Sequence, residues 1–139
     1  MFLFDTNVVS ALRKPEREGP AFERWTKMAV AARPFLSVVT VMEIEIGILR
    51  LQRRDGTQAE SLRRWMDKTV IPGFEGRILD FDTGVARRCA ALHVPDPCSE
   101  RDAMIAATAL VHGLTVVTRN TADFLATGVP LFNPWEELA

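Results

Sequence analysis

The chain has 139 residues and a mass of 15.5 kDa, enough for one domain and too little for two of ordinary size. With 47% apolar and 25% charged residues and a net charge of −1, it can pack a core, is not a disordered or low-complexity chain, and carries no overall field for nucleic acid. Two cysteines, Cys89 and Cys98, cannot make a disulfide framework, and no apolar run spans a bilayer or begins like a signal peptide; a soluble protein of a reducing cytoplasm is expected.

Phe2-Leu3-Phe4 is a short apolar run broken by Asp5-Thr6-Asn7. Phe22, Trp25 and Ala29 recur at helical spacing, which predicts a helix over residues 17–31. The run from Phe35 to Val39 reads as a second strand ending at Thr40. Over residues 41–54, Val41, Ile44, Ile48 and Leu51 share one helical face, and Glu43, Gly47 and Arg50 share another. Gly56 separates that helix from a basic one at roughly residues 58–70. Ile78-Leu79 is a weaker third strand ended by Asp80, and helices follow over residues 83–93 and 100–112, the latter stopped by Gly113. Leu114 to Thr118 and Val129 to Phe132 supply the last strands. Such short apolar runs suit strands buried on both faces, and their alternation with helices predicts one doubly wound α/β domain with a mostly parallel sheet.

In sheets of this kind, function gathers beyond the carboxyl ends of the strands. Asp5 lies there after the first strand, Glu43 lies one short turn past the second, and Asp123 lies just past a later one. Asp102 opens the helix that leads into that later strand. Like charges a few Å apart repel by about 3 kcal/mol per pair at an effective dielectric near 20, so such a cluster calls for a cation. An all-oxygen set without His or Cys selects Mg²⁺ or Mn²⁺ over zinc, and phosphodiester hydrolysis is the natural use of such a site.

Each acid also has a structural reading. Thr40-Val41-Met42-Glu43 and Ser99-Glu100-Arg101-Asp102 both match a capping box, Asp5 can cap the first helix, and Asp123 can favour the first turn of the next. Their common location at one sheet edge favours the site. Glu45 lies about 200° around the helix from Glu43, and Glu43 is preferred because Gly47 on its face allows close approach. Phe81-Asp82-Thr83-Gly84 resembles an aspartic-protease loop but precedes a helix, so Asp82 reads as an N-cap. His93, His112 and Cys98 have no partner that suggests catalysis. Arg50, Arg53, Arg54, Arg63, Arg64 and Lys68 form a basic strip, read either as a solvated face or as a contact for RNA backbone.

The segments FLFDTNVVSAL, TVMEIEIGI, RDAMIAATAL and TVVTRNTADF resemble the PIN domain family, specifically the VapC and FitB-like toxins of bacterial type II toxin–antitoxin pairs. The resemblance covers nearly the whole chain. It implies a metal-dependent ribonuclease with Asp5, Glu43, Asp102 and Asp123 as the acidic set, using Mg²⁺ or Mn²⁺. Thr6, Thr118 and Asn120 fall at the supporting polar positions. It further implies a three-layer α/β/α fold with a five-stranded parallel sheet, a homodimer, and a small VapB/FitA-like antitoxin bound over the site. Asp80 departs from the family, which more often has a non-acidic residue there. Two alternatives stand beside this reading: a structure-specific DNA nuclease using the same acids, and a non-catalytic regulatory domain of the doubly wound class. A phospho-acceptor domain would want a lysine near the last strand, and none occurs after Lys68.

Overall fold

The computed structural model describes residues 1–136. Five short parallel strands are present: β1 (Phe2–Phe4), β2 (Leu36–Ser37), β3 (Ile78–Leu79), β4 (Thr115–Val117) and β5 (Leu131–Phe132). β1, β4 and β5 form one ladder in the order β1-β4-β5, and β2 pairs with β3 in another. A parallel bridge between Leu3 and Phe35 joins the two, through Phe4 N–H to Phe35 O (3.0 Å) and Phe35 N–H to Phe2 O (2.9 Å). The spatial order is therefore β3-β2-β1-β4-β5, and the winding reverses between β1 and β4.

Side chains alternate across the strands, so each feeds two cores. Phe4, Leu36 and Val117 enter one cluster with Val8, Phe22, Ile44 and Ile48; Leu3 and Val116 enter the other with Ile105, Ala106 and Phe124. Helices on both faces complete three layers: α1 (Thr6–Ala11), α2 (Pro20–Ala29), α3 (Val38–Gln52) and α4 (Gly56–Trp65) serve the first cluster. A π turn (Met66–Val70) and the single turn α5 (Ile71–Gly73) continue α4. α7 (Glu100–His112) and a 3₁₀ segment (Thr121–Thr127) back the second cluster, and α6 (Thr83–Leu92) packs on α7 through Val85, Cys89, Ala103 and Ala107.

Three boundaries differ from the sequence expectation, each for a local reason. The second strand stops at Ser37, because the Ser37 hydroxyl accepts the Val39 N–H (3.0 Å) and caps α3 three residues before the expected start. Thr40-Val41-Met42-Glu43 is therefore helix interior and not a capping box. The helix expected over 17–31 is split: Gly19 turns the chain at φ +95°, and Pro20 begins α2 at its first position, where no N–H is needed. The basic helix starts at Gly56, because Asp55 accepts from Gln58 N–H (3.1 Å). Asp82 does cap α6 by accepting from Val85 N–H (2.9 Å), and Gly113 ends α7 in the left-handed conformation. Among the described residues no helix is long and apolar enough to cross a membrane.

Candidate functional site

The reversal between β1 and β4 leaves a crevice at the carboxyl ends of both strands, and Asp5 stands in it. Its N–H donates to Val117 O (2.9 Å), which fixes it against the end of β4. The Asp5 carboxylate accepts three hydrogen bonds: Oδ1 from Thr6 N–H (2.8 Å), and Oδ2 from the Thr118 hydroxyl (2.8 Å) and Asn7 Nδ2 (3.1 Å). Such bonds favour the charged form, yet burial dominates and pushes the Asp5 pKa from 3.8 up to about 6. Asp102 and Glu43 add to the rise by charge repulsion, so both lie within electrostatic reach of Asp5.

Glu43 projects from α3, where Thr6 of α1 meets it. The Thr6 hydroxyl donates to Glu43 Oε1 (2.7 Å) and lies 3.1 Å from the buried Thr40 hydroxyl. Glu43 Oε2 faces Arg101 Nη1 at 3.7 Å. Asp102, in the first turn of α7, is half-buried; burial raises its pKa first, Asp123 and Glu43 raise it further, and a hydrogen bond with Ser99 lowers it. Asp123 is exposed at the start of the 3₁₀ segment and lies near enough to Asp102 to repel it. Four acids from four separate regions of the chain thus lie within electrostatic reach of one another. Among the described residues no three His, Cys, Asp or Glu side chains close on a single ion directly.

Glu45 takes the other face of α3, as its position around the helix requires, and both of its oxygens accept from Arg63 Nη1 at 2.5 Å. That pairing ties Arg63 Nη1 to α3, and the partly exposed guanidinium keeps its other donors. Arg50, Arg53 and Arg54 are exposed on α3 and just beyond it. Gly47 shares the Glu43 face, but a Cβ built there meets nothing within 4 Å, so none of the described residues makes the close approach expected there.

The supporting residues divide differently from the sequence expectation. Thr6 and Thr118 contact acids directly. Asn120 supports only through its backbone N–H, which donates to Thr118 Oγ (3.1 Å), while its side chain is exposed. The side chain that sequence reasoning missed is Asn7. Its Nδ2 donates to Asp5 and Thr118 (3.2 Å to the latter), and its Oδ1 accepts from Arg119 N–H (3.1 Å). The available signal was its place in Asp5-Thr6-Asn7, the polar break that follows the first strand.

The PIN domain family model matches residues 2–129. Toxin FitB of Neisseria gonorrhoeae is 36% identical over 143 residues, covering 99% of this chain and 100% of FitB. VapC ribonuclease Y4jK of Sinorhizobium fredii is 34% identical over 141 residues, covering 98% of this chain and 99% of Y4jK. The solved structure of FitAB bound to the IR36 DNA fragment matches with a TM-score of 0.88 at 34% identity, covering 100% of this chain and 99% of that one.

Proposed function

This chain belongs to the PIN domain family, and from that premise we propose that it is a metal-dependent endoribonuclease, the toxin of a type II toxin–antitoxin pair. The carrying observation is Asp5, a buried carboxylate held by three donors yet opposed in its ionisation by Asp102 and Glu43. Burying a charge among like charges is costly, and a cation relieves that cost. The likeness to relatives named toxin and ribonuclease, along their whole length, supports the same reading.

The donor set suits Mg²⁺ or Mn²⁺, since Asp5, Asp102, Asp123 and Glu43 offer only oxygen. Asp5, Asp102 and Asp123 would hold the ion, directly or through water. When bound, it supplies positive charge at the phosphate and a more acidic water. Glu43 orients the attacking water and takes its proton; Thr6 occupies Oε1, so Oε2 is the oxygen free to do so once Arg101 yields. The water oxygen adds to phosphorus, one P–O ester bond breaks, and the leaving oxygen is protonated from solvent. Thr118 and Asn7 hold Asp5 in one orientation, which keeps the site arranged before substrate arrives.

The likeness to solved toxin–antitoxin complexes supports a cognate antitoxin of the VapB/FitA type as partner; we propose that it covers the acids and that the toxin pairs with a second copy of itself. The test is cleavage of RNA and DNA strands of matched sequence in Mn²⁺, Mg²⁺ and EDTA. RNA alone should be cut, and only with metal. Equal cutting of DNA would favour the structure-specific DNA nuclease, and no cutting of either strand would withdraw the enzyme reading.

A further inference from the structure

We propose that the cleft beside Glu43 is a nucleotide subsite, seating the phosphate and base next to the scissile bond, and that Gly47 keeps it open. The inference rests on the ribonuclease reading and adds where the substrate runs. Thr6 and Glu43 line the near end of the cleft, Gly47 lies between, and Arg13, Arg54 and Trp65 line the remainder together with aliphatic side chains of α3 and α4. Its volume of about 410 Å³ falls within the range of small-molecule clefts, about 300–1,000 Å³. An RNA strand with a phosphodiester at the acids must carry its neighbouring nucleotide out of the site, and this cleft is continuous with Glu43.

The residues have the chemistry that a nucleotide needs. Arg54 lies past the end of α3 on the line from Glu43 through Gly47, and among the described residues no side-chain partner engages its guanidinium. Arg13 is tethered across the cleft by a bond from Nη2 to Ser61 Oγ (2.9 Å), which leaves its other donors available. Guanidinium forks match phosphate oxygens, and the half-buried Trp65 offers an aromatic wall on which any base can stack. Gly47 sits in the interior of α3, where glycine is a poor helix former, and the space a side chain would take is empty of protein. No packing contact among the described residues accounts for it.

That makes Gly47 the sharpest test. Gly47→Ala should melt no lower than the parent, because the added carbon meets nothing and favours the helix, and Gly47→Leu, checked by its melting midpoint, should remain folded. In Mn²⁺, with a mixed-sequence single-stranded RNA pool, Gly47→Leu should raise KM several-fold at nearly unchanged kcat, as loss of uniform binding does. Arg13→Gln and Arg54→Gln should each flatten the log–log salt dependence of kcat/KM by about 0.7, while Arg88→Gln on α6 leaves it unchanged. Parental KM for Gly47→Leu, with an unaltered salt slope in both arginine variants, would overturn the subsite while leaving the ribonuclease intact. So would a Gly47→Leu protein that cleaves normally but escapes its antitoxin, which would give the cleft to the protein partner. A parent that cuts no RNA would overturn both readings together.

Discussion

Asp5→Asn in the metal-free protein isolates what one buried carboxylate does to stability as pH changes. Asp5 is 6% exposed, and burial, ahead of the repulsion from Asp102 and Glu43, lifts its pKa from 3.8 to about 6. Well below pH 4 the group holds its proton in both folded and unfolded chains. As pH rises toward 6 the unfolded chain releases that proton first, so the stability contributed by neutral Asp5 is lost through this window. A pKa difference of about 2 corresponds to about 3 kcal/mol, or about 10 °C in melting midpoint for a chain of this length. Asparagine does not titrate, and its poorer match to the Thr118 and Asn7 donors displaces the variant's stability by a constant amount. Urea melts in EDTA from pH 4 to 8 should therefore show the parent's stability falling relative to Asp5→Asn by about 3 kcal/mol as pH rises. Saturating Mn²⁺ should restore the parent near neutral pH by ligand linkage. A difference that stays flat, or that grows in the parent's favour with rising pH, would refute the reasoning.

Asp102→Asn should abolish RNA cleavage with an unchanged circular dichroism spectrum and a smaller Mn²⁺-induced rise in midpoint; near-parental cleavage would remove Asp102 from the site. Glu43→Gln should silence cleavage, whereas Glu45→Gln should keep it and leave the melting midpoint nearly unchanged, because the Arg63 pair it removes is partly solvent-exposed. The reverse pattern would mean that the other glutamate serves the site. Thr118→Val deletes a hydroxyl that lowers the Asp5 pKa, so carboxyl NMR should show Asp5 titrating still higher and Mn²⁺ binding weakening near pH 7. The antitoxin should inhibit by placing an Arg or Lys among Asp5, Asp102 and Asp123, because a guanidinium matches carboxylates bidentately. An antitoxin shortened by its toxin-binding segment yet fully inhibitory would contradict this.

What the sequence revealed and what it hid follow from the range of the interactions involved. Leu114 to Val117 reads as a strand because its β-branched residues feed two cores, and Gly113 marks the end of α7 by its left-handed backbone; both signals are local. Asp5 was legible at the sheet edge because it directly follows a strand, whereas Thr118 was marked only by the family resemblance. Thr40 was not legible as helix interior, since Ser37 and Thr40 are equally good caps by composition. The tertiary contact of Thr40 with Thr6 separates them, and that contact spans 34 residues. Arg63 looked free because its partner Glu45 lies 18 residues away on another helix. Asn7 was hidden for the same reason: its contacts with Thr118 and Arg119 cross more than 100 residues of sequence.

Anomalous diffraction from crystals grown with Mn²⁺ tests the central claim most directly, because it locates the ion without reference to activity. The account predicts one strong peak, or two, in the crevice between β1 and β4, with Asp5 in contact and waters linking it to Asp102, Asp123 or Glu43. A peak remote from Asp5, or none at saturating Mn²⁺ under conditions where RNA is cleaved, would contradict it.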